Sequence, residues 1–331
     1  MKKNILILSP VGKSGQPVTE RTKAYVEIFQ ANGFRCHEYS TPTSVYKLIK
    51  LIIFIYINNY KKVFVTMPPF SNWSLCFLPN IKIILDIRDG WSIAIRSGYG
   101  NLIKPKPFKA WVARLIEKIA IRNVALCVTC TPGLQEYLQT IANKKVLFIP
   151  NGFNSSDYEL VKKIKTEGIT LKKDKQVIFV CAGKFSEYGK DKVQMILKQI
   201  NINYQDRLCL LKVIGADENE NEWIFDYIKI QGFANIQCAL VPRLARENLF
   251  REIIKSDVGI AVIRDPDYDF GTKVYDYIVC SKPIMYYFEN ENSFAKYFDG
   301  LFDRDFRCSS IDRFSRKSAF ESAKKDLQMI L

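Results

Sequence analysis

Histidine is almost missing: His37 is the only one in 331 residues. Chemistry that draws on several imidazoles for proton transfer has nowhere to find them, and His37 sits in a strand-like run, the setting of a structural residue. A membrane-crossing run is also absent. About 20 apolar residues are needed to span a bilayer, whereas the run Leu51 to Ile57 has seven, flanked by Lys47, Lys50, Lys61 and Lys62. The opening MKKNILILSP passes straight into a strand pattern, so no secretory leader is expected. The nine cysteines are odd in number and scattered through apolar segments. That excludes a disulfide framework and fits reduced thiols in the cytosol. Cys127 and Cys130 have the spacing of half a zinc knuckle, but no second pair exists, and a strand would send them to opposite faces. The Gly-x-Gly-x-x-Gly fingerprint is missing too, which weakens a nicotinamide-dependent reading.

Acid is scarce in one half only. Residues 1–150 hold 21 Lys and Arg against seven Asp and Glu, while 151–331 hold 28 against 27. Nearly all of the net charge of +15 therefore lies in the first half. A basic half of this kind suits nucleic acid, an anionic membrane or a phosphorylated substrate.

The composition, 48% hydrophobic and 25% charged, is that of a folded soluble protein. Apolar runs near 4–9, 34–39, 62–66, 82–87, 125–130 and 145–149 alternate with helical patterns, and the rhythm restarts at 176–182, 208–214, 236–240, 257–263 and 283–288. Such alternation predicts βαβ units and parallel sheets. The expected fold class is α/β, with two Rossmann-like domains at 1–152 and 153–314. A C-terminal helix at 315–331 is expected to cross back to the first. The polar stretch 151–175 reads as the connection between them.

The segment Phe270 to Ile284 (FGTKVYDYIVCSKPI) is the densest in chemistry. Gly271 permits a close backbone approach, Thr272 can cap a helix starting near Lys273, and free amides beside that lysine suit an anion. Asp276, one turn on, is placed to accept hydrogen bonds from ribose hydroxyls. After the first strand of the second half stand Gly183 and Lys184, with Lys190 six residues further. Together with Lys273 these lysines are candidates to neutralise a leaving diphosphate.

In this order the motifs resemble the GT-B glycosyltransferases, in particular the large retaining family 4. Gly183-Lys184 and Lys190 correspond to that family's first donor-domain loop. Thr272-Lys273-Val274-Tyr275-Asp276-Tyr277 followed by Ser281-Lys282-Pro283-Ile284 resembles its late motif. Ile149-Pro150-Asn151-Gly152-Phe153 is similar to its inter-domain sequence, and Ser256-Asp257-Val258-Gly259 to the strand before the late motif. Gly15 with Glu20-Arg21 resembles its acceptor-domain loop, Gly33-Phe34 through Glu38 its second strand, and Asp86 to Trp91 (DIRDGW) a segment of one branch.

The resemblance implies two domains facing a cleft and transfer of a sugar from a nucleotide diphosphate sugar, with retention and without a metal ion or other cofactor. It implies donor-binding roles for Gly183, Lys184, Lys190, Gly271, Thr272, Lys273 and Asp276, and acceptor-binding roles for Gly15, Arg21 and Arg88. Asp89 is the expected catalytic polar group, with Lys184 and Lys190 stabilising charge. Two positions depart from the pattern. The acid expected eight residues before Asp276 is Tyr268, for which Asp267 or Asp269 is a substitute, and the family's cleft histidine has no counterpart. Asp265, Asp267 and Asp269 form a DxDxD string, but its position before the phosphate-binding segment argues against a metal.

The basic half contains an expected helix from about Phe108, with Phe108, Trp111, Val112, Leu115, Ile116 and Ile119 on one arc and lysines at its edges. A similar apolar body lies between Tyr46 and Lys62. Both are ordinary sheet-covering helices or, with the charge bias, a means of resting peripherally on the anionic inner face of a membrane. The expected acceptor is a glycan or a lipid-linked sugar. Two alternatives are a nucleotide-sugar 2-epimerase of the same architecture, which the lone histidine disfavours, and a basic nucleic-acid-binding protein. The latter leaves Lys184, Lys190 and the Gly271 turn without a purpose, so nucleic acid is not an expected partner.

Overall fold

The apolar runs form two separate parallel sheets in the computed structural model, which describes residues 3–9, 19–98, 104–168, 176–288, 290–299 and 311–328. In the first sheet, β1 (Lys3–Ser9), β2 (Phe34–Ser40), β3 (Lys62–Met67), β4 (Lys82–Ile87), β5 (Leu126–Thr129) and β6 (Leu147–Phe148) lie in the order β2-β1-β3-β4-β5-β6. The second holds β7 (Val177–Ala182), β8 (Cys209–Ile214), β9 (Ile236–Val241), β10 (Val258–Ile260) and β11 (Ile284–Met285), ordered β11-β10-β7-β8-β9. Strands covered on both faces read as continuous apolar runs rather than as alternation, as in KVFVTM of β3 and KIILDI of β4. The α/β class with two Rossmann-like parallel sheets is as expected.

Alternate residues of each strand feed opposite faces. Leu6 and Leu8 of β1 pack under Leu51 and Ile55 of one helix and Ala120 and Ile121 of another. Ile5 and Ile7 face Tyr25, Phe29 and the C-terminal helix Arg316–Gln328, which buries Ala319, Phe320, Ala323 and Leu327 there. The last helix thus belongs to the first domain although the chain reaches it from the second.

Among the described residues the chain crosses between domains twice, at one place. Phe153 N donates to Phe314 O (3.2 Å) and Arg316 N to Phe153 O (2.9 Å), so outgoing and returning segments pair side by side. Gly152 makes this approach possible, since a Cβ there would lie 2.5 Å from Arg316 N and 2.6 Å from Phe314 O.

The stretch expected as a long connection is different. Residues Ser155–Thr166 form a helix, with Val161 and Ile164 buried in the core of the second domain. Two apolar residues three apart on one face outweigh the polar composition around them, and the crossing itself is confined to a few residues around Gly152.

Candidate active site

Open α/β sheets bind ligands beyond the carboxyl ends of their strands. Here the residues following β4, β5 and β6 and the loop following β10 line one cavity of about 670 Å³ between the domains. Arg88 and Asp89 come to it from the first domain, and Gly271, Thr272, Lys273 and Asp276 from the second.

Arg21, expected to bind the acceptor, also lines this cavity, but its donors are spent. Its Nε and Nη2 hold Asp86 (2.7–3.1 Å), Nη2 also reaches Tyr25 Oη (3.3 Å), and Nη1 holds Ile149 O (2.7 Å). With both partners buried, removing either leaves an uncompensated charge, at a cost of about 3–5 kcal/mol. Arg21 therefore ties the first sheet to the crossing. Arg88 is freer: Nη2 donates to Pro68 O at 3.4 Å, and its Nε finds no partner among the described residues. Gly15 lies outside the described residues.

Asp89 extends from the end of β4. The turn that aims it is fixed by Glu117, a buried carboxylate that accepts Trp91 N (2.8 Å), Ser92 N (3.2 Å) and the Ser92 hydroxyl at the start of helix Trp91–Arg96. Across the domain gap Asp89 Oδ1 meets Arg264 Nη2 at 3.4 Å, and the same guanidinium holds Asp269 Oδ2 through Nε (3.2 Å) and Nη2 (3.1 Å). Burial and the charge of Asp269 push the Asp89 carboxyl above the usual carboxylate range, while Arg264 and Arg88 pull it back. A second cavity of about 300 Å³, lined by Asp89, Arg264, Asp269, Tyr268 and Phe70, opens beside this pair.

Of the three acids of the DxDxD string, Asp269 is the one that lines the 670 Å³ cavity. Tyr268 turns its ring to Tyr137 (centroids 6.1 Å apart), and its carbonyl accepts the Thr131 hydroxyl (3.1 Å). Asp267 accepts Ser293 N (3.0 Å) instead, and Asp265 accepts Asp267 N (3.1 Å). The DxDxD string is thus divided among three separate tasks.

Asp269 Oδ1 accepts Gly271 N (3.0 Å), fixing a turn in which Gly271 has φ +64°. Among the described residues the amides of Thr272 and Lys273 find no acceptor. The helix that follows, Val274–Val279, has only six residues and no side-chain cap, so Thr272 does not cap it. Asp276 is buried at its start, gripped by Arg246 through Nη2–Oδ1 (2.7 Å) and Nη1–Oδ2 (2.9 Å), with Lys273 Nζ at 3.4 Å. Arg246 also binds Asp157 at 3.0 Å. Oδ2 is engaged by both Arg246 and Lys273, while Oδ1 has one donor and keeps a second lone pair, so the grip orients the carboxylate without exhausting it.

The lysines after β7 are less gathered. Gly183 adopts φ +92°, and a Cβ on it would sit 3.6 Å from the Lys273 side chain. Lys184 Nζ lies over Tyr188 (5.9 Å to the centroid) and Lys190 Nζ over Trp223 (5.3 Å). Neither lines the 670 Å³ cavity. Lys192, not singled out by its sequence setting, is buried and donates to Ile263 O (3.4 Å) and Arg264 O (2.9 Å), supporting the backbone that carries Arg264. His37 is remote, its Nδ1 2.6 Å from Tyr60 Oη in the first domain.

Three arginines of the site, Arg246, Arg264 and Arg316, carried no sequence signal. Arg316, on the returning segment, holds Asn154 Oδ1 (2.9 Å) and Gly152 O (2.8 Å) at the cleft floor. Burial and the nearby Arg21 lower its pKa to about 10.

No family model matches the sequence, and no curated protein does. Solved structures do match over the whole chain. Sucrose-phosphate synthase from Thermosynechococcus elongatus is 13% identical, covers 99% of both chains and has a TM-score of 0.67. HepE from Anabaena, solved with UDP and glucose, is 10% identical over 99% of this chain and 100% of that one, with a TM-score of 0.60. The UDP-GlcNAc 2-epimerase of Methanocaldococcus jannaschii is 10% identical over 99% of each, with a TM-score of 0.53. At these identities the likeness is one of fold.

Proposed function

We propose that the chain is a glycosyltransferase moving a hexose from a nucleotide diphosphate sugar to a glycan or lipid-linked acceptor, with retention and without a metal ion. Its setting is the synthesis of a surface polysaccharide, lipopolysaccharide or other glycoconjugate at the cytoplasmic face of the membrane. The observation that carries this reading is that Asp89 of the first domain and the Gly271–Lys273 turn of the second line one cavity.

The donor's diphosphate lies against the free amides of Thr272 and Lys273 and the Lys273 ammonium, with Lys184 and Lys190 swinging off their aromatic rests to meet it. Charge develops on that phosphate as the bond to the sugar's anomeric carbon breaks, and fixed donors in a closed cleft stabilise it. The acceptor hydroxyl bonds to the same carbon from the same face, and its proton passes to a phosphate oxygen, so no histidine is required. Asp276 receives the ribose hydroxyls, while Asp89 and Asp269 face the sugar. Arg88 is the first-domain group left for the acceptor. Closing of the domains excludes water.

Thermal shift against a panel of nucleoside diphosphates and their sugars tests the reading. Stabilisation by one diphosphate nucleotide is the expected result, followed by transfer from its sugar conjugate; no shift across the panel would count against it. An epimerase reading has the shared fold in its favour, but the cleft offers it no imidazole.

A further inference from the structure

Helix Pro107–Asn123 is built inside out. The side it turns to the protein is mostly small, with Ala110, Ala113, Ala120 and Ile121 buried alongside Glu117. Its large apolar residues Phe108, Trp111, Leu115 and Ile119 point away and are 74, 61, 44 and 43% exposed. Spacings of three and four residues place them in one stripe, with the Phe108 and Trp111 rings stacked at 6.2 Å in the open. Helix Val45–Ile57 repeats the pattern. Leu51 and Ile55 are buried, while Val45, Ile49, Ile53 and Ile57, four apart, are exposed.

The two helices belong to one layer. Both cover the sheet face carrying Leu6, Leu8, Val63 and Val65, with segment Phe70–Phe77 in the same core. Helix Pro107–Asn123 packs on that segment, Tyr56 Oη donates to Pro79 O just beyond it (3.0 Å), and Phe77 adds a further exposed ring. Around the stripes Lys47, Lys50, Lys61, Lys104, Lys106 and Lys109 are exposed. The only acid in either helix is the buried Glu117.

A large exposed apolar surface marks an interaction site, and one whose helices carry exposed lysines and no exposed acid fits a partner that is apolar within and anionic at its surface. We propose that this layer docks on the anionic lipid surface of a membrane. Bulky apolar residues enter the boundary between headgroups and acyl chains, and the lysines meet the headgroups. A second copy meeting the same face would bring like charges together. Phe108 and Trp111 have faces on which a base can stack, but the exposed Val45, Ile49, Ile53, Ile57, Leu115 and Ile119 offer a nucleic acid neither a stacking face nor a hydrogen bond. The inference deepens the reading of the protein as a transferase working at a membrane, but binding itself needs no turnover.

The test is sedimentation of the full chain with vesicles of phosphatidylcholine alone or mixed with phosphatidylglycerol. Binding is expected only to the mixed vesicles and should weaken as salt rises. The exposed double variant Phe108→Ser/Trp111→Ser should bind at least ~10-fold more weakly, and Lys104→Gln/Lys106→Gln/Lys109→Gln should lose the preference for phosphatidylglycerol. Both variants should keep the wild-type melting temperature and the wild-type shift with a nucleoside diphosphate. The proposal is overturned if the full chain stays in the supernatant, or if the serine variant sediments like wild type. A dimer in light scattering that the serine variant dissolves would overturn it too, assigning the face to self-association. A missing nucleotide shift with vesicle binding intact would sink the transferase reading alone.

Discussion

Asp89 and Arg264 meet at 3.4 Å across the gap between the two domains. Arg264 is at once the partner of Asp269, so one guanidinium holds apart two carboxylates that otherwise repel.

Asp89→Ala is expected to cut turnover by roughly 100-fold with the fold intact. A linked effect on stability follows from its raised pKa. The folded chain takes up this proton at a higher pH than the unfolded chain. The group therefore favours folding more as pH falls through the raised pKa, and it costs stability at neutral pH. Asp89→Asn should gain melting temperature relative to wild type at neutral pH, and the gain should shrink on acidification. A gain that grows with acid would refute this.

Arg264→Met removes a group that lowers the Asp89 pKa. The acid limb of the kcat/KM profile should move to higher pH, with turnover reduced. An unmoved limb would mean that Asp89 and Arg264 do not act together.

Lys273 lines the cavity, whereas Lys184 and Lys190 rest on aromatic rings. Lys273→Ala should weaken nucleoside diphosphate binding on the order of tenfold, about 1.4 kcal/mol. Lys184→Ala and Lys190→Ala should each weaken it less, because part of their interaction is spent releasing the ring. Calorimetric titration of the three variants gives the ranking, and equal affinity to wild type in all of them would remove the phosphate assignment.

Gly133 lies where a Cβ would be 2.3 Å from Asp267 O of the other domain. Gly133→Ala should push the 265–269 loop off the first domain and lower turnover, while chemical denaturation changes little. Gly152→Ala acts inside the paired crossing and should destabilise by about 1–3 kcal/mol. If both variants lose only stability, the loop contact plays no part in the chemistry.

Glu117→Leu would strand the amides of Trp91 and Ser92 in a buried place, at about 1–3 kcal/mol for a lost partner. Turnover should fall with it, since the turn bearing Asp89 starts there. Glu117→Gln, which still offers an acceptor, should recover most of both in denaturation and rate measurements.

Central strands such as β3, β4 and β7 were legible because each is a nearly continuous apolar run, and the restart of the pattern near residue 176 marked the second domain. The Gly271 turn was legible because its residues are neighbours in the chain. Arg264 and Arg246 were not, since their partners Asp89, Asp157 and Asp276 lie on other elements of the chain and spacing does not say which elements meet. The same holds for Arg21: the motif found the residue, but its partner Asp86 lies on β4 and reveals a structural tie. Helix Pro107–Asn123 was legible as a helix, yet periodicity alone does not tell which arc faces the sheet. In the structure the alanines face the sheet, where small side chains let the helix lie close.

The paired crossing at Gly152 and Phe314 restricts how the cleft can move. One strand would be a swivel, free to twist the domains about each other in any direction. Two strands bonded side by side would act as a door hinge with a single axis, so that in the proposed closure the walls bearing Asp89 and Lys273 would meet in one alignment. Without the returning segment the crossing would be a single strand, a swivel again, and the face of the first sheet that Phe320 and Leu327 bury would be uncovered.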